Sequence, residues 1–147
     1  MHFVTGGHFN GKATWVRNLY GLAERDDFTW VSFYQTEIID PVFECTKSNF
    51  YIIEGIESYI KSLIEMGLNQ QQMIEQMKSL IADGLDWENA AKERCFILIG
   101  TDISKGIVPM EKKNRDWRDI TGWVYQDIAA KAEKVDVIWY GISRKLK

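Results

Sequence analysis

Apolar positions along this chain fall into short continuous runs separated by stretches of helical spacing, and that alternation sets the expected architecture. Phe3-Val4-Thr5 is β-prone and stops at Gly6-Gly7. Gly11-Lys12-Ala13 then leads into Trp15, Val16, Leu19 and Tyr20, spaced along one helical face, with Gly21 as the stop. After Asp26-Asp27, the run Phe28 to Tyr34 is dense in β-branched and aromatic residues and predicts a second strand. Asp40-Pro41 favours a turn in the connection from Gln35 to Ser48. Asn49 to Glu54 is nearly continuously apolar, as a strand buried on both faces should be, and Glu54 stands at its C-terminal end.

Ile56, Tyr59, Ile60, Leu63 and Ile64 continue at helical spacing as far as Gly67. Asn69 and Gln72 make a capping box for a helix striped with Met73, Ile74, Met77, Leu80 and Ile81. Asp83-Gly84 predicts a break there, followed by a short helical piece from Trp87 to Arg94. Phe96 to Ile99 reads as a core strand and Gly100 to Pro109 as a loop. Trp117, Ile120, Val124, Ile128 and Ala132 mark a long helix, and Val135 to Tyr140 a closing strand. Strands that alternate with helices need crossover connections, so the expected fold is α/β, with an open, mostly parallel sheet and helices on both faces.

A chain of 147 residues suits one domain, 1–147, and its 46% hydrophobic content with 13% aromatics can fill a core. The formal net charge of -3 argues against bulk attraction to nucleic acid or to an anionic membrane, so any anionic ligand has to be bound locally. No apolar run is long enough to span a bilayer, and the first residues lack the features of a signal peptide, which points to a cytoplasmic protein without membrane insertion. Cys45 and Cys95 have no metal-ligand spacing and read as buried free thiols. His2 and His8, the two histidines, are too few for a histidine metal cage or a conventional Ser-His-Asp triad.

The candidate chemistry begins at Gly6-Gly7-His8-Phe9-Asn10-Gly11-Lys12-Ala13, which fits GxxxxGK without the final Ser or Thr. Between a strand and a helix, such a loop can turn backbone N–H groups toward phosphate oxygens, and the helix adds its positive end. Gly6 through Thr14 are the candidate nucleotide-binding residues, and Lys12 the candidate catalytic cation that offsets charge on the outer phosphates. The plain alternative is a glycine turn with a surface lysine. Ala13 removes the hydroxyl that supplies one Mg2+ oxygen, while Thr14 is turned about 100° around the helix, so metal binding should be weaker or differently arranged. Glu54, at a strand end, is the candidate metal residue for Mg2+, or else a solvated strand-end acid. Asp102 follows a core strand and is the second catalytic candidate, as metal partner, base or orienting group. Ser104 to Pro109 reads as a packed hinge or a substrate rim, and Arg118-Asp119 as a solvated pair.

Phe3 to Gly7, Ile52-Ile53-Glu54, Gly106-Ile107-Val108-Pro109, and Trp117-Arg118-Asp119-Ile120-Thr121-Gly122 with Gln126 together resemble the adenosylcobinamide kinase and adenosylcobinamide-phosphate guanylyltransferase family. Val135 to Lys147, with Gly141-Ile142, is similar to the last strand and tail of that family. The resemblance covers both ends and little of the middle. It implies a RecA-like P-loop NTPase fold that uses ATP or GTP with Mg2+ to phosphorylate the aminopropanol hydroxyl of adenosylcobinamide and then transfers GMP onto that phosphate, in cobalamin assembly. It also implies a homo-oligomer, often a trimer.

Departures from the family pattern bear on chemistry. Ala13 stands at a family serine, Thr101-Asp102 at Asn-Glu, and Trp123 and Tyr125 at polar positions of the helix motif. The family forms a guanylylated histidine after its second strand, and Gln35 to Ser48 contains no histidine. The expectation is therefore a divergent kinase-type phosphotransferase without the histidine route to guanylyltransfer. Two alternatives stand beside it: a nucleotide-binding or assembly subunit that has lost both reactions, and a P-loop kinase for another small alcohol.

Overall fold

The computed structural model describes residues 1–35, 43, 47–105 and 109–147. The turn expected at Asp40-Pro41, Cys45 and the Gly106-Ile107-Val108 segment lie outside the described residues. Among the described residues, six strands form one sheet: β1 (His2–Gly6), β2 (Phe28–Ser32), β3 (Phe50–Glu54), β4 (Cys95–Thr101), β5 (Lys134–Trp139) and β6 (Ile142–Lys145). Their order is β2-β3-β4-β1-β5-β6. The first five run parallel, and β6 pairs antiparallel with β5. The helices are α1 (Lys12–Leu19), α2 (Ile56–Glu65), α3 (Gln70–Asn89) and α4 (Lys112–Lys131), with a single 3-10 turn at Leu22–Glu24. The fold is α/β, as the alternating pattern required, and its layout is that of a RecA-like P-loop protein.

The two-residue period of the strands builds two cores. Phe3, Tyr51, Ile53, Phe96, Leu98 and Val135 face α2, α3 and α4 on one side. Val4, Ile52, Ile97, Ile99 and Ile138 face Val16 of α1 and Leu22 on the other. Most of these side chains are fully buried, and each large aliphatic one stabilises the fold by about 1.5–3 kcal/mol relative to exposure. Among the described residues, no helix is long and apolar enough to cross a membrane.

Several boundaries differ from those the pattern predicts, and β4 runs to Thr101, two residues into the stretch read as a loop. The strand expected through Tyr34 ends at Ser32, and Phe33 and Tyr34 turn over its end. The break expected at Asp83-Gly84 is absent, because α3 runs unbroken from Gln70 to Asn89. Gly84 faces the sheet there: a Cβ on it would lie 2.2 Å from the Phe96 ring, so the residue serves packing and not termination. The long last helix starts at Lys112, a turn ahead of its first apolar marker. Finally, β6 folds back on β5 through Tyr140-Gly141, both left-handed at φ 50° and 79°. A two-residue hairpin turn needs that geometry, and without an Asn-Gly or Asp-Gly pair the sequence gives little sign of it. The capping box is formed as expected, with Gln72 N–H donating to Asn69 Oδ1 at 3.0 Å and Asn69 N–H to Gln72 Oε1 at 2.9 Å. Cys95 is a free thiol, half-buried beside the Tyr20 hydroxyl and not enclosed as expected.

Candidate functional site

β1 is central in the sheet, so the turn after it opens at the C-terminal edge, where parallel sheets gather ligand-binding groups. Gly6 makes that turn possible. Its φ is 147°, and a Cβ would meet the Ile138 carbonyl oxygen at 2.2 Å, so no other residue passes this close to β5. Gly11, at φ 82°, is the N-cap of α1, which places Lys12 as its first helical residue. Asn10 ties the loop to the hairpin, its main-chain carbonyl accepting from Gly141 N–H at 2.9 Å and its side-chain oxygen from Tyr140 N–H at 3.2 Å. His8 and Phe9 project outward, with Phe9 fully exposed.

Lys12 is buried, and its ammonium donates to the carbonyls of Gly7 at 2.8 Å and Gly6 at 3.3 Å. Burial pushes its pKa down, while the nearby carboxylates of Glu57 and Glu54 act to raise it. A cavity of about 540 Å³ opens over the loop. His8, Phe9, Asn10, Gly11, Lys12, Ala13 and Thr14 line it from the loop side, and Tyr34, Glu54, Ser58, Ile99 and Thr101 from the opposite wall. The chain thus brings loop, lysine and Glu54 together around one space.

Glu54, half-buried at the end of β3, faces this cavity. Mg2+ is typically held by one or two carboxylates plus phosphate oxygens and water, and one cavity-facing carboxylate next to a glycine loop fits such a donor set. Among the described residues, no cluster of three or more metal-ligating side chains exists, and Ala13 adds no oxygen. Asp102 is placed differently. Its N–H donates to the Gly6 carbonyl at 2.9 Å, but its carboxylate accepts from the Ser104 hydroxyl at 2.5 Å and the Ser104 N–H at 2.9 Å, with Lys105 at 3.6 Å. Burial works to raise its pKa, and these three partners hold it below the usual carboxylate range. Arg118 and Asp119 pair at the surface of α4, as expected.

Glu57 is the feature that periodicity misses. It sits in the first turn of α2, 1% exposed, with its carboxylate just behind the cavity wall. Tyr34 donates its hydroxyl to Glu57 Oε1 at 2.5 Å, while Thr101 N–H and the Tyr125 hydroxyl donate to Oε2 at 2.9 and 3.1 Å. Burial pushes the phenols of Tyr34 and Tyr125 well up, and Glu57 adds to both. Tyr125 reaches the carboxylate because Gly100 has no side chain: a Cβ there would lie 2.2 Å from the Tyr125 oxygen. The sequence signal was an acid in a first helical turn, which normally reads as a solvent-facing complement to the helix dipole.

A strand, a glycine loop and a helix at the central strand of a parallel sheet define a protein of the RecA-like P-loop class. Within that class the chain belongs to the cobinamide kinase / cobinamide phosphate guanyltransferase family, whose model matches residues 22–146. The match begins beyond the Gly6–Lys12 loop, so the loop stands on its own sequence and geometry. The chain is similar to the bifunctional adenosylcobalamin biosynthesis protein CobU of Salmonella typhimurium, 36% identical over 74 residues, which are 48% of this chain and 41% of that protein. The protein of the same name from Escherichia coli is 35% identical over 81 residues, 53% of this chain and 40% of that protein. The matched stretches thus span about two fifths of these relatives.

Proposed function

We propose that this protein binds ATP or GTP in the Gly6–Lys12 loop and transfers the terminal phosphoryl group to the hydroxyl of adenosylcobinamide. The observation that supports it most is the buried Lys12 ammonium, held at the neck of a glycine loop and facing Glu54 across a cavity of about 540 Å³. The substrate class comes from the family, and from two relatives named for adenosylcobalamin biosynthesis.

In this reading Gly6, Gly7, Asn10 and Gly11 shape the phosphate cradle and the N-terminus of α1 faces the anion. Lys12 exchanges its loop carbonyls for phosphate oxygens and offsets charge on the group in flight. Mg2+, when bound, neutralises phosphate charge, and Glu54 would hold it directly or through water. Asp102 supports the turn through its N–H to Gly6, and its carboxylate braces the loop after β4. Catalysis is then mainly positioning and electrostatics. One domain acting in the cytoplasm, within a homo-oligomer, belongs to the same reading.

Transfer of GMP through a histidine is not part of it, since the stretch from Gln35 to Ser48 offers none and His8 lies in the phosphate loop. A nucleophile must attack opposite the leaving pyrophosphate, and a residue of the cradle itself has the wrong approach. A second reading, of a nucleotide-binding or assembly subunit without turnover, is favoured by one observation: Ala13 lines the cavity where a metal-binding hydroxyl would stand. The test is incubation with Mg2+, γ-labelled ATP or GTP, and adenosylcobinamide. Labelled corrinoid phosphate is expected, whereas triphosphate binding without product would favour the second reading. Label retained on the protein from α-labelled GTP would overturn the exclusion of guanylyltransfer.

A further inference from the structure

An alcohol that attacks a phosphoryl group needs a hydrogen-bond acceptor in the site wall, so that its O–H is turned away and a lone pair faces phosphorus. Asp102 is poorly suited, because its carboxylate is engaged by Ser104 and Lys105. Glu54 faces the phosphate end and the cation chemistry there. The remaining wall carries Tyr34, which lines the cavity and is 53% exposed.

The Tyr34 hydroxyl is fixed by its partners. The carboxylate oxygen accepts, so the phenolic proton lies along the 2.5 Å line from Tyr34 to Glu57. The tyrosine oxygen is left as an acceptor, with the Thr101 hydroxyl at 3.1 Å on one side. Tyr34 thus brings to the cavity lining a hydroxyl whose proton is engaged by a buried carboxylate.

We propose that Tyr34 receives the hydroxyl of the alcohol substrate and passes its proton to Glu57, making Tyr34 a catalytic residue and Glu57 its positioning partner. This rests on the phosphotransfer reading above. The alcohol oxygen forms its bond to the γ-phosphorus as the bond from that phosphorus to the nucleoside diphosphate oxygen breaks. The alcohol proton moves to the Tyr34 oxygen, the Tyr34 proton moves to Glu57, and Glu57 later releases it to water. The Thr101 N–H holds the carboxylate in line throughout, and the Tyr125 hydroxyl lies 3.1 Å from both that carboxylate and the Thr101 carbonyl.

The test compares wild type, Tyr34→Phe and Glu57→Gln in phosphorylation of adenosylcobinamide at saturating Mg2+ and ATP or GTP. Tyr34→Phe should lower kcat roughly a hundredfold, while triphosphate Kd stays unchanged. Glu57→Gln should lower kcat to a similar extent at unchanged triphosphate Kd, and Glu57→Asp should restore part of it. Should Glu57→Gln fail to fold, Tyr34→Phe alone decides. A wild-type kcat in Tyr34→Phe overturns this inference and leaves the phosphotransfer reading intact. Triphosphate binding by the wild type without transfer to the corrinoid overturns both.

Discussion

The ammonium of Lys12 donates to the main-chain carbonyl of Gly7 at 2.8 Å, across the loop that carries both residues. A neutral carbonyl is a weak partner for a buried cation, and a phosphate oxygen is a stronger one. Burial already pushes the Lys12 pKa down, so an incoming anion also relieves the cost of holding charge there. Lys12→Ala should therefore weaken triphosphate binding by about 1.5–3 kcal/mol, or roughly tenfold to a hundredfold in Kd by calorimetric titration. An unchanged Kd would remove the loop from the account.

Gly84→Ala should destabilise the protein through packing alone. The new methyl group would start 2.2 Å from the Phe96 ring, which is itself fully buried, so ring or helix has to move. Overpacking of this kind costs about 1–3 kcal/mol, despite the better helix propensity of alanine. Urea denaturation checks it, and a gain in the unfolding midpoint would show that α3 does not lie this close to β4.

That glycine also shows where the sequence is legible and where it is not. The alternation at Val4/Phe3, Ile52/Ile53 and Ile97/Leu98 announces a sheet covered on both faces, and the helical stripes supply the covers. Local signals read well: Asn69-Gln72 caps α3, and Gly21 and Gly67 follow their helices with φ of 60° and 83°. Gly84 misleads because its purpose lies in a residue on another element, which no window along the chain contains. The same holds for the site. Strand-end position places Glu54 at the cavity, but the role of Glu57 depends on Tyr34, Thr101 and Tyr125, drawn from three separate parts of the chain.

The N-terminal end of β1 carries a pH-sensitive group. His2 is buried, with Nδ1 at 2.7 Å from the Tyr20 hydroxyl and Nε2 at 2.9 Å from Asp136. Burial lowers its pKa from 6.5, with Asp136 opposing that shift and Lys134 adding to it. The folded state therefore resists protonation that the unfolded chain accepts. The contribution of His2 to stability is fully present above the unfolded value and declines as pH falls through the lower folded value. Urea midpoints measured from pH 8 down to pH 5 should drop more in wild type than in His2→Gln. Parallel curves would show that His2 does not titrate between the two states.

The proposed phosphate seat is tested most directly by the crystal structure of the protein grown with Mg2+ and a non-hydrolysable ATP or GTP analogue. The β- and γ-phosphates are expected within the Gly6–Lys12 turn, with the Lys12 ammonium moved from the Gly7 carbonyl onto a phosphate oxygen and Glu54 facing the metal. A bound analogue elsewhere, or a saturated crystal with Lys12 still on Gly7, would contradict that expectation.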